Sequence, residues 1–183
     1  MSDLSDVSGG TRAGGRANAT STLVRAASSA DDHRSARELF VEYATWLDVD
    51  LCFQGFNEEL DTLPGKYAPP NGRLFLAFAE SGGKQRAAGC VAIRPLQIGA
   101  TSTSAELKRL WVRDAFRGLG LGQALTGAAL DVARDIGYRS IKLDTLPQIM
   151  PNAVAMYRSF GFVECDPYYH NPVPGTMYME RAL

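Results

Sequence analysis

The sequence predicts one α/β domain. Its core is a mixed central sheet of about seven strands that starts as an antiparallel meander and is flanked by about four helices. Three observations carry this. The chain has 183 residues, 45% of them hydrophobic, enough for one full core. Apolar runs at Arg73–Glu80, Gln85–Leu96 and Ala105–Val112 follow one another with no helical pattern between them, which is a meander and not strict βαβ alternation. Beyond them, runs with helical period lie on either side of another strand-like run.

Taken in order, residues 1–20 are rich in Ser, Gly, Ala and Thr and read as a disordered tail; the domain is expected over residues 21–183. Ser21–Ala27 has the composition of a first strand, and Ser28 or Ser29 can cap a helix after it. Ala36, Leu39, Phe40, Tyr43, Ala44 and Leu47 follow i, i+3, i+4 spacing and predict a helix over Ala30–Leu47. A turn-rich stretch holds a short helix over Asn57–Leu63 and ends at Pro69, Pro70, Asn71 and Gly72. The "SGGK" after Arg73–Glu80 is a hairpin turn, so Gln85–Leu96 is the returning strand and Ala105–Val112 the next. Leu121, Leu125, Ala129, Val132 and Ile136 make one apolar stripe, a helix over Gly120–Gly137 with Gly137 as its C-terminal cap. A strand over Ser140–Thr145 precedes a short helix over Pro151–Phe160, with proline in its first turn. "FVECD" and "TMYMERAL" close the sheet as two strands.

Composition excludes several functions. A net charge of -1 lacks the basic footprint of a nucleic-acid binder. Cys52, Cys90 and Cys165 are widely spaced and odd in number, so no metal site and no disulfide framework is expected, and a reducing cytoplasm is favoured. No apolar run approaches the roughly 20 residues of a membrane span.

The chemistry is concentrated in "VRDAFRGLGLGQAL", Val112–Leu125. Gly118, Gly120 and Gly122 alternate with leucines and run straight into a helix. Glycine supplies positive φ or lets the backbone approach closely, and a helix N-terminus leaves N–H groups unpaired. Together they suit a phosphate. A P-loop needs Gly-Lys-[Ser/Thr], but Gly122 is followed by Gln123 and Ala124. A dinucleotide fingerprint needs G-x-G-x-x-G after a first strand and an acid further on. Asp144 stands in such a place, but the glycines run G-x-G-x-G, four strands precede them and no second βαβ half follows.

Arg117-Gly118-Leu119-Gly120-Leu121-Gly122 resembles the acetyl-CoA pyrophosphate loop of the GNAT N-acetyltransferase superfamily, [Gln/Arg]-x-x-Gly-x-[Gly/Ala]. "NAVAMYRSFGF", Asn152–Phe162, is similar to that superfamily's Ala-x-x-x-Tyr-x-x-x-Gly-Phe signature, and the order of elements matches its fold. The resemblance covers roughly Ser21–Leu183. More narrowly, "VDLCFQGF", "YAPPNGRLFLA", "AELKRLWV" and "YYHNPVPG" look like a group of bacterial GNAT proteins.

The resemblance implies acetyl-CoA as co-substrate, a primary amine as acceptor (a small molecule before a protein lysine or N-terminus), and no metal. It implies that the strand ending in Leu110, Trp111 and Val112 splays from its neighbour and offers its backbone to the pantetheine arm. The loop from Arg117 through Gly118, Leu119, Gly120, Leu121, Gly122 and Gln123 would hold the pyrophosphate. Glu106 is the expected general base, on the reasoning that period-2 alternation puts it on one face with Val112; Lys108 lies between them and can pair with it instead. Tyr157 is the expected acid for the leaving thiolate. Gln54 and Phe56 on one side, with Tyr169 and His170 on the other, are expected to wall the acceptor pocket. Many family members carry Asn seven residues before the tyrosine, where this chain has Met150. The same resemblance adds the expectation of a homodimer through strands near the C-terminus, and a non-catalytic acyl-CoA sensor is the rival from another functional class.

Overall fold

A computed structural model describes residues 21–96 and 103–183. The tail expected over residues 1–20 lies outside them. Strand β1 (Thr22–Ala26) leads into helix α1 (Ala30–Leu47), followed by α2 (Phe56–Asp61). Then come β2 (Arg73–Ser81), β3 (Lys84–Leu96), β4 (Ser104–Val112), α3 (Leu121–Ile136), β5 (Ser140–Thr145), α4 (Pro151–Ser159), β6 (Val163–Glu164) and β7 (Met177–Ala182). The seven strands form one sheet in the order β1-β2-β3-β4-β5-β7-β6. β1 to β4 are an antiparallel meander, β4 and β5 are parallel, and β7 returns antiparallel between β5 and β6.

Local chemistry explains the element ends. Ser29 caps α1: its hydroxyl accepts from the Asp32 N–H at 3.1 Å, and the Asp32 carboxylate accepts from the Ser29 N–H at 3.2 Å. The β2–β3 turn has both Gly82 and Gly83 at positive φ, as a tight hairpin turn of the right twist requires. One expected strand is shorter than its sequence suggests. Of "FVECD", Val163 and Glu164 form the strand: the Phe162 N–H is spent on Tyr157 O at 3.1 Å, Cys165 N–H adds one more bond to Tyr178 O at 2.9 Å, and Pro167 just beyond has no N–H to give.

Both faces of the sheet are covered. Ala36, Leu39 and Phe40 of α1 pack on Leu74, Leu76, Cys90, Ala92 and Trp111. Leu121, Leu125, Ala129 and Ala133 of α3 pack on the other face against Ala77, Val91, Ile93, Ala105 and Leu107, with Tyr157 of α4 alongside. Each fully buried leucine contributes about 1.5–3 kcal/mol. These two layers fix the ends of β4 and β5, between which the site opens.

Candidate active site

β4 and β5 pair at only three positions, Ser104↔Ser140, Ala105↔Ile141 and Glu106↔Lys142. From Leu107 onward β4 has no partner on that side, so the strands part and leave a wedge. Opposite β3, β4 carries a bulge: Cys90 pairs with Trp111 and Ala92 with Lys108, so Arg109 and Leu110 together face Val91. Arg109 sits at φ 58, a left-handed backbone that a side chain rarely adopts.

The bulge overturns the period-2 reasoning applied to this strand. It inserts a residue, so Glu106 and Val112 lie on opposite faces. Glu106 pairs across from Arg94 on the α1 face, whereas Val112 packs with the α3 layer. Glu106 is buried. It accepts from Arg94 Nε at 2.8 Å and from the Tyr168 hydroxyl at 3.2 Å, and Lys108 Nζ lies 3.5 Å away.

Within the wedge, Tyr43, Gln54, Lys108, Asp144, Thr145 and Tyr157 surround a cavity of about 50 Å³, with Leu47, Leu51, Leu146 and Val173 as apolar wall. Asp144 is its one acid. That carboxylate accepts from Lys108 Nζ at 3.0 Å, from the Tyr169 hydroxyl at 3.0 Å and from Asn171 Nδ2 at 3.1 Å. Burial alone would raise the Asp144 carboxyl; the Lys108 charge and these hydrogen bonds outweigh it and hold it below the ordinary range. Gln54 donates to Tyr169 at 3.4 Å, while its Oε1 and Thr145 Oγ1 are buried without a hydrogen-bond partner. Tyr157 is buried, and desolvation pushes its phenol well above its ordinary range, so it stays protonated. Arg109 is also part of the cavity lining, its guanidinium held in a bidentate pair with Glu59 at 2.8 and 2.9 Å. Leu110 lines the cavity as well.

A second groove of about 270 Å³ continues outward along β4, between Trp46, Leu110, Trp111, Val112, Arg117, Gly122 and α4. At its end the glycine turn meets α3. Gly118 and Gly120 stand at φ 82 and 74, and a Cβ at either would meet nothing. Glycine is needed there for its dihedral and not for room. The first bond of α3 runs from Ala124 N–H to Gly120 O at 3.0 Å, and no side chain caps the helix. The N–H groups of Leu121, Gly122 and Gln123 therefore have no intrahelical acceptor. The Arg117 N–H is already committed to Asp114 O at 3.2 Å, so the free donors begin after Arg117. Its guanidinium lies 5.6 Å from the Trp46 ring and 5.2 Å from Trp111, and it pairs with Asp114 at 2.8 Å. Leu119 is exposed at the tip of the turn. The donor set, the open strand edge and the cation suit a phosphorylated, amide-bearing arm. Among the described residues no group of three His, Cys, Asp or Glu is placed to hold a metal ion.

The remaining expected contacts divide. Gln54 reaches the cavity and Tyr169 hydrogen-bonds its acid. Phe56 instead packs under the Arg109 guanidinium, 4.9 Å from it. His170 is exposed, on an outer hollow formed with Tyr168, Tyr169 and Tyr178, whose rings meet tilted or edge to face. Sequence reasoning missed Asp144, Thr145, Tyr43 and Trp46 as site residues. The available signal was a polar pair ending the apolar β5 run; its opposite number, Lys108, lies on a strand that pairs with β5 only further back.

Residues 34–162 match the model of the acetyltransferase (GNAT) family. An uncharacterized N-acetyltransferase of Schizosaccharomyces pombe is 41% identical over 145 residues, 79% of this chain and 85% of that protein. One from Dictyostelium discoideum is 32% identical, across 73% of this chain and 86% of its own length. These relatives are eukaryotic, so the likeness is not confined to bacterial proteins. A solved GNAT-family acetyltransferase from Staphylococcus aureus superposes with a TM-score of 0.70 over 88% of this chain and 99% of that one; at 16% identity it speaks for the fold alone. Sequence and fold agree: the chain belongs to the GNAT family of acetyltransferases and is an acyltransferase.

Proposed function

We propose that this enzyme uses acetyl-CoA to acetylate a primary amine, and that the amine is a small molecule. The observation that carries the reading is that the two cavities adjoin, with Leu110 and Met150 lining both. A phosphate-ready turn and an unpaired strand edge lead into an enclosed pocket lined by a protonated phenol. Bound there, acetyl-CoA supplies an acetyl thioester; a C–N bond forms, the C–S bond breaks, and the amine's proton is balanced by one delivered to the thiolate.

The chain's own residues divide that work. The N–H groups of Leu121, Gly122 and Gln123, with the Gly118–Gly120 backbone, receive the pyrophosphate, and the helix dipole adds favourable charge. Arg117 adds a cation held in place by the two tryptophans. Leu110, Trp111 and Val112 offer backbone groups to the arm. Tyr157 is the proton donor to sulfur. Glu106, ion-paired and outside the cavity lining, is read as the anchor that holds Lys108 and Arg94, and not as the direct base. The small enclosed cavity favours a small amine over a polypeptide side chain.

Calorimetry with acetyl-CoA tests the loop. Wild type binds; Gly120→Glu, which puts a carboxylate among the phosphate donors, does not. Gly120→Ala shares the backbone strain without the charge and retains binding. Equal binding by wild type and Gly120→Glu would remove the loop from the reading.

A further inference from the structure

The wedge holds a second phenol, and the reaction proposed above gives it a task; this inference rests on the proposed function. Tyr43 comes from α1 and Tyr157 from α4. Tyr43 packs with the α1 layer and Tyr157 with the α3 layer, so the two rings reach the inner cavity from opposite faces of the sheet. The Tyr43 ring rests 6.0 Å from that of Trp111, between centroids. Neither hydroxyl has a hydrogen-bond partner among the described residues, and neither is sealed from solvent as Gln54 Oε1 and Thr145 Oγ1 are. The other side-chain donors of the lining are engaged: Lys108 on Asp144, Arg109 on Glu59, Asn171 on Asp144 and Gln54 on Tyr169. Burial pushes the Tyr43 phenol up to about 12, so at neutral pH it keeps its proton and is a donor, not a base.

Acyl transfer from a thioester develops negative charge on two atoms in turn. As the amine nitrogen attacks, the carbonyl π pair moves onto oxygen; when that pair returns, the C–S bond breaks and its electrons go to sulfur. Tyr157 serves the sulfur. A preorganised donor at the oxygen is usually the largest single contribution in such catalysis. We propose that Tyr43 is that donor, a second catalytic group whose hydroxyl hydrogen-bonds the thioester carbonyl oxygen as it gains charge. Tyr43 gives up no proton; its hydrogen bond strengthens while the pair is on oxygen and relaxes when the pair returns. The attacking nitrogen loses its proton to solvent, and solvent returns one to Tyr157, so the reaction closes as amide and thiol.

Infrared spectroscopy of bound acetyl-CoA, isotope-labelled at the acetyl carbonyl, reads this hydrogen bond without turnover. Tyr43→Phe keeps the ring against Trp111 and removes only an unpartnered hydroxyl, so it should melt with wild type. Its carbonyl band is expected at higher frequency than in wild type, whereas Tyr157→Phe leaves the band in place. Acetyl-CoA affinity by calorimetry should fall by no more than about fivefold, the scale of one neutral hydrogen bond. With hexylamine or benzylamine as acceptor, kcat of Tyr43→Phe should fall about 10²-fold or more, the scale of one lost oxyanion donor, while KM for the amine holds. A band at the wild-type position in Tyr43→Phe overturns the proposal. So does a kcat within about twofold of wild type, or a band moved by Tyr157→Phe alone. If neither amine is turned over, the band decides by itself. Failure of wild type to bind acetyl-CoA is a different result, and it removes the proposed function itself.

Discussion

Tyr157 shows how burial can keep a phenol protonated beside a candidate site. α4 carries it to the inner end of the wedge, where desolvation raises the phenol's proton affinity, and the negative charges of Tyr43 and Asp144, were both ionised, would raise it further. A group shifted upward keeps its proton below its ordinary value and beyond it. Tyr157 therefore remains a donor through the working range, and no alkaline limb from this phenol is expected in the rate below about pH 10. Tyr157→Phe keeps the ring that packs on Phe162, 5.7 Å between centroids, and removes only the hydroxyl. Its kcat should fall about 10²-fold, the lower scale of general acid catalysis, while acetyl-CoA affinity by calorimetry and the melting temperature hold. A kcat within twofold of wild type would take the acid role from this residue.

At the scale of elements, the bulge of β4 decides what faces the site. Arg109 keeps its strained φ of 58 because its side chain is locked from outside the strand. Glu59 on α2 clamps the guanidinium, Phe56 lies under it, and Cys90 Sγ donates to the Arg109 carbonyl at 3.3 Å. Burial raises the Glu59 carboxyl, but the Arg109 hydrogen bonds and charge more than offset this and hold it below its ordinary range. Removing one partner of a buried pair strands the other's charge. Glu59→Ala should therefore cost about 3–5 kcal/mol in urea unfolding, whereas replacing both partners, as Glu59→Leu with Arg109→Met, should recover most of it. The two-residue replacement also separates stability from function: if the bulge exists to aim β4 at the wedge, the stable double variant should still lose turnover. A double variant as unstable as Glu59→Ala would mean that the pair's geometry, and not the stranded charge, holds the element.

For the molecule as a whole, what sequence could reveal followed the range of the interactions. The glycine turn, the α3 stripe, the capped α1 and the meander are encoded within a few residues of themselves, and each stands where local periodicity puts it. Glu106 is a counter-example: its facing depended on a bulge three residues on, which only pairing with β3 defines. Asp144 meets Lys108 from another strand, 36 residues away, and Gln54 meets Tyr169 across 115. No local pattern marks such meetings. The outer groove has the same long-range character, since Trp46 comes from α1, Trp111 from β4 and Met156 from α4. A ligand lying in it would bridge both helical layers of the sheet. At a hundred times its Kd such a ligand adds about 2.7 kcal/mol to the folded state, which for a chain of this length raises the melting temperature by roughly 5–11 °C. The chain's only two tryptophans meet at that groove, 5.0 Å between centroids, so their fluorescence reports the site while far-UV circular dichroism reports the whole fold. If the groove joins the layers into one cooperative unit, both signals should melt together and rise together with acetyl-CoA. A rise in the fluorescence transition alone would mean that α1 and the site unfold as a separate unit, and that the ligand stabilises only that part.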